Sequence, residues 1–130
     1  MKPSQYIFIA LGGAIGTILR YFTYESYGST SWPYATLSVN LLGALLIGFF
    51  VTFITERIIP NPKIRPFLAI GVLGAFTTES TFALDTYVMI HNGKLYSAII
   101  YLLVTIVGGL AAVSTGIRLG RVRLVRKESS

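Results

Sequence analysis

Four stretches of this sequence, 6–24, 34–55, 66–90 and 95–117, are each long and apolar enough to cross a bilayer, a crossing that takes about 20 mostly apolar residues. The pattern predicts an all-α membrane protein with four transmembrane helices, because in hydrocarbon the backbone N–H and C=O groups must pair within the segment. The connections are short: ESYGSTSWP holds turn formers, ERIIPNPKIR holds two prolines, and HNGK is an Asn-Gly turn. The 130 residues read as one integral membrane domain, 1–130, with a basic tail over 118–130 and no room among them for an extramembrane domain. Composition agrees, since 53% hydrophobic and 12% charged residues do not describe a soluble globule of this length.

The first span could instead be a signal peptide, because Lys2 precedes an apolar run. It continues through Arg20 and Tyr21 without a small-residue cleavage site, and its loss would leave an odd number of spans, so retention is expected.

Positive charges set the orientation. With four spans, Lys2, the second loop (Arg57, Lys63, Arg65) and the tail (Arg118, Arg121, Arg123, Arg126, Lys127) share a side, and Lys94 stands alone on the other. Nine basic residues against one predict both termini in the cytoplasm, in a multi-pass protein of the cell membrane. The net charge of +6 does not point to nucleic acid, since five basic residues lie in RLGRVRLVRKESS, beside an apolar segment, where they face anionic membrane lipid. The absence of cysteine excludes disulfides and thiolate metal sites.

Lipid provides no hydrophobic drive between helices, so small residues at four-residue spacing mark the packing faces. They are Gly12 and Gly16 on the first span, Ala44 and Gly48 on the second, and Gly108, Ala112, Gly116 and Gly120 on the fourth.

Polar residues inside the spans are costly without partners or water. Arg20 either snorkels to the interface or draws anions into a vestibule. Asn40 makes an interhelical hydrogen bond or donates to a passing anion. On the third span Gly71 and Gly74 precede Thr77, Thr78, Ser80 and Thr81, a run of weak helix formers and hydroxyls that predicts a break in the third helix. Carbonyls freed by a break are hard oxygen ligands that suit a small cation. On the fourth span Tyr101 and Thr105 form a polar stripe running on to Gly109. Glu79 interrupts an apolar run, so it is buried in protein, faces an internal water-filled cavity, or marks a segment that is not a simple span. No catalytic constellation competes: the one histidine, His91, sits in a turn beside Asn92 and Gly93, and an enzyme is not expected.

GGAIGTILRY (12–21), TLSVNLLGALLIG (36–48) and GVLGAFTTESTFALD (71–85), in that order on four spans, resemble the Fluc/CrcB family of fluoride channels. The resemblance implies an antiparallel dimer of small subunits with two narrow fluoride pores. It also implies a structural sodium ion at the dimer centre, held by the backbone carbonyls of Gly74 and Thr77. Asn40 falls on the family's pore asparagine, Arg20 on its vestibule arginine, and Tyr101 and Thr105 on its polar track, with Gly109 where a serine is common. Donors suit the task, because fluoride is small and strongly hydrated and a pore must replace its water with N–H, O–H and positive aromatic edges.

Two features depart from the family pattern. The usual T-T-F-S-T-F carries two pore-lining phenylalanines; here the second is Phe82 and the first is Glu79. An ionised carboxylate repels fluoride, whereas burial favours the neutral acid, which can donate a hydrogen bond. Glu79 is therefore expected to block its pore or to make conduction depend on pH. The second departure is the charge bias, which favours one orientation and hence a related partner subunit of opposite orientation over self-pairing in dual topology. Two other classes remain: a noncatalytic membrane subunit that only assembles with a partner, and a small multidrug-type proton-coupled exporter. The exporter would carry a membrane Glu in its first helix; the first span has none, which leaves Glu79 for that role.

Overall fold

A computed structural model describes residues 3–28, 30–55 and 63–128, with the side chains of 55 and 123–128 left out of the description. Four stretches are long and apolar enough to cross a membrane: Pro3–Tyr27, Tyr34–Ile54, Pro66–His91 and Leu95–Val122. No strand occurs among the described residues. Lys2 and Arg57 of the charge count lie outside them, as do the side chains of Arg123, Arg126 and Lys127.

Helix α1 (Pro3–Tyr27) begins on a proline, whose fixed φ and missing N–H suit a first helical position. Gly28 ends it, taking φ 58° and donating its N–H to the Tyr24 and Glu25 carbonyls at 3.3 Å. Pro33 then precedes α2 (Tyr34–Thr55). The third span is composite: a π-helix (Pro66–Leu73), a short α3 (Gly74–Phe76), extended backbone at Thr77 and Thr78, and α4 (Glu79–His91).

The Asn-Gly turn after α4 is a full helix stop. Gly93 takes φ 73°, its N–H reaches the Ile90 carbonyl at 3.0 Å, and the Lys94 N–H reaches Met89 at 2.9 Å. Helix α5 (Leu95–Glu128) follows, and its backbone continues through most of the basic tail, where Leu and Arg are good helix formers.

The small residues act where their spacing placed them. α1 packs on the π-helix, with Gly12 against the Phe67 carbonyl and Gly71, and Gly16 against Val72 and Phe76. α2 packs most extensively on α5: Gly48 lies against Val113, Gly116 against Leu45 and Phe49, and Gly120 against Thr52. The break in the third span was legible, but the π-helix before it was not. Its widened turns carry Gly71 so close to α1 that an added Cβ would stand 2.9 Å from the Gly12 Cα. Lys63 lies over the Phe8 ring, 5.4 Å from its centroid, which sets the second loop at the same end as the start of α1. Most long apolar side chains, such as Ile7, Leu103 and Leu110, point outward, as a surface in hydrocarbon requires.

Candidate functional site

The break in the third span is held open by one side chain. Asn40, in the middle of α2, donates from Nδ2 to the Thr78 carbonyl at 3.0 Å and accepts the Thr78 N–H on Oδ1 at 2.9 Å. That N–H would go to the Gly74 carbonyl in a continuous helix, so the pair releases Gly74 from its intrahelical donor. An amide has two N–H donors. Asn40 uses one here, and the second has no partner among the described residues.

The hydroxyl run restarts the helix beyond the break. Thr78 is the N-cap of α4: its Oγ1 accepts the Thr81 N–H at 3.2 Å and lies 3.3 Å from the Ser80 hydroxyl. Glu79 follows in the first turn, where a carboxylate is favoured by the helix dipole. Thr77 ends the preceding half, with both its N–H and its hydroxyl directed at the Leu73 carbonyl.

Two clefts flank this break, with Thr78 in the wall of each. The first, of about 450 Å³, brings together Asn40, Gly74, Thr77, Glu79, Phe82 and Thr105. Glu79 is exposed in it, not enclosed by the chain. The Thr105 hydroxyl is buried and has no hydrogen-bond partner among the described residues, an unusual state for such a group. The second cleft, of about 490 Å³, collects Arg20, Ser80 and Thr81 with Thr17, Tyr24 and Glu25. Arg20 turns inward instead of toward the interface: its Nη1 donates to the Thr77 carbonyl at 3.4 Å.

Tyr101 lines neither cleft. It is fully buried behind Phe82, at a ring-centroid distance of 5.2 Å, and its phenol donates to Asp85 Oδ2 at 3.4 Å. Asp85 escaped the reading of the sequence, although a second carboxylate within the third span was itself a signal. The same Oδ2 accepts the Thr36 hydroxyl at 2.7 Å, and the Tyr24 hydroxyl lies 2.7 Å from that of Thr36. These four residues tie α1, α2, α4 and α5 together at one end of the bundle.

A cation at the break would depend on carbonyl oxygen, since no cluster of three or more His, Cys, Asp or Glu occurs among the described residues. The Gly74 carbonyl is available, and the Thr77 carbonyl keeps a lone pair beside the one directed at Arg20. Carbonyl oxygens are the hard ligands a small alkali cation takes, and these two would have to be joined by others to complete its shell.

Residues 7–117 match the model of the family described as CrcB-like protein, Camphor Resistance (CrcB). A protein of Moorella thermoacetica named "Fluoride-specific ion channel FluC 1" is 40% identical over 129 residues, covering 96% of this chain and 91% of its own. One from Chloroflexus aurantiacus, named "Fluoride-specific ion channel FluC", is 44% identical over 117 residues, covering 87% and 92%. Another of that name, from Hahella chejuensis, is 35% identical over 127 residues, covering 95% and 100%. These relatives are named as ion channels, not as enzymes. With four apolar spans, a helix broken where the motif breaks it, and a match across nearly its whole length, the chain belongs to the CrcB-like family of membrane proteins.

Proposed function

We propose that the chain is a subunit of a fluoride channel that lets fluoride leave the cytoplasm passively, working in an antiparallel dimer. The observation that carries this reading is one cleft lined by an amide with a spare N–H (Asn40), an unpartnered hydroxyl (Thr105) and an aromatic ring (Phe82). Each can replace a water around a small anion, and so few donors bind weakly enough to release it. The names of the relatives supply the ion. Arg20 contributes positive charge on the other flank of Thr78. The Gly74 and Thr77 carbonyls would hold a structural sodium ion, which supplies fixed positive charge at the dimer centre and is not transported. Tyr101 acts by fixing Phe82, its own hydroxyl being engaged by Asp85.

The test is efflux from liposomes loaded with fluoride or chloride, followed with ion-selective electrodes. Fluoride should leave and chloride should stay; equal rates for both, or fluoride flux that requires a proton gradient, would overturn the reading. Glu79 opposes anions in the same cleft as Asn40. Unit charges about 10 Å apart at an effective dielectric of about 20 interact by about 1.7 kcal/mol, before further screening by water. Glu79→Gln and Glu79→Phe are therefore expected to conduct up to roughly tenfold faster than the wild-type chain. Unchanged rates in both would remove Glu79 from the pathway.

A second reading, in which this chain is the fixed-orientation member of a heterodimer, is favoured by Glu79 in the cleft and by the nine-to-one charge bias. Terminal tags probed from both sides of the membrane should then be reached from the cytoplasm alone, and flux should rise when an oppositely oriented relative is co-expressed. Equal populations in both orientations would refute it.

A further inference from the structure

A third cleft, of about 460 Å³, opens between the end of α1, the start of α2 and α4, roofed by the first loop. Its size is that of a small-molecule site. Asp85 stands in its wall and is pinned: because Thr36 donates to Oδ2 at 2.7 Å, Tyr24 must donate to Thr36, and Tyr101 donates to Oδ2 as well. Both bonds to the carboxylate end on Oδ2.

Trp32, also in the wall, is braced by Tyr34 and Tyr101, with ring centroids 5.0 and 5.4 Å away. Pro33, Leu84 and Met89 give the cleft an apolar side, and hydroxyls such as those of Thr30 and Ser31 give it a polar one. The charged groups toward this end are Arg20, Glu25, Asp85 and Lys94, two of each sign, whereas the basic cluster of the chain lies at the other. On a chain of net charge +6, this end is balanced in charge, and Asp85 is the charged group in the cleft wall.

We propose that this cleft binds a small quaternary ammonium ion. A positive charge spread over methyl groups suits an aromatic and apolar wall with one fixed carboxylate. It needs no acceptor, which fits a carboxylate oxygen already occupied by hydroxyl donors. A bare alkali ion would need several oxygens, and those of Tyr24, Thr36 and Asp85 Oδ2 are tied to one another. The site is independent of whether the chain conducts fluoride.

Trp32 is the only tryptophan in the chain, so its emission reports on this cleft alone. Tetramethylammonium chloride titrated into the full chain in a maltoside detergent, with sodium chloride holding ionic strength constant, should change that emission saturably. The expected midpoint is on the order of 1–10 mM, the range of a single weak cation–aromatic site. Asp85→Asn should raise the midpoint at least about tenfold, and neopentyl alcohol, a neutral molecule of nearly the same shape with one added hydroxyl, should give no saturable change. A linear response, an equal response to neopentyl alcohol, or an unchanged midpoint in a folded Asp85→Asn chain would overturn the site. If that variant fails to fold, the comparison of cation with neutral isostere on the wild-type chain decides.

Discussion

Asn40→Leu is expected to stop anion flux while leaving the four spans in place. The substitution removes both partners of Thr78 at membrane depth, its donor at 2.9 Å and its acceptor at 3.0 Å. Each unpaired backbone group costs about 1–3 kcal/mol, so the open form of the break loses about 2–6 kcal/mol. That corresponds to a fall in flux of roughly 30-fold or more. Asn40→Asp keeps an acceptor for the Thr78 N–H but sets a carboxylate against the Thr78 carbonyl and removes the spare donor, so it should fail as well. Liposome flux together with far-ultraviolet circular dichroism checks this. Wild-type flux in Asn40→Leu would mean that the amide neither shapes the break nor serves the ion.

Gly116→Val should be the most damaging change to the fold. A Cβ at 116 would meet the Leu45 carbonyl and stand 2.8 Å from the Phe49 N, and backbone cannot swing aside as a side chain can. Overpacking costs about 1–3 kcal/mol where side chains can adjust and more where they cannot. The melting temperature in detergent should drop by roughly 10 °C or more. Gly13 and Gly109 are the controls, since a Cβ at either meets nothing within 4 Å. Gly13→Ala and Gly109→Ala should hold or slightly raise the melt, because alanine is the better helix former by about 1 kcal/mol. Equal losses in Gly116→Val and the controls would show that helix propensity, not the α2–α5 contact, governs stability.

These two sites were legible to different degrees. The Gly108–Gly120 ridge was readable because its cause is periodic: residues four apart share a helix face, and in lipid the close face is the small one. Asn40 was readable only as a residue with two alternatives. The structure shows the first, one N–H given to the Thr78 carbonyl, and the second N–H has no partner among the described residues. Arg20 followed the same course: its cost in the span was evident, but its acceptor, the Thr77 carbonyl, lies 57 residues away. Tyr101 fitted a polar stripe by spacing, yet its hydroxyl turns to Asp85, a residue the reading passed over.

The sequence by itself determined the properties that depend on near neighbours along the chain. Runs of apolar residues impose helices, because a bilayer leaves the backbone no other partners. Glycines with clustered hydroxyls break the third span at Thr77 and Thr78, and Asn92-Gly93 ends α4. Only the tertiary structure decided what fills the break and what faces it. A freed N–H takes whichever acceptor the packing brings within about 3 Å, and packing sums weak contacts between residues far apart in sequence. That is how Asn40 came to hold Thr78, how Arg20 turned inward, and how Asp85 became the meeting point of Thr36 and Tyr101.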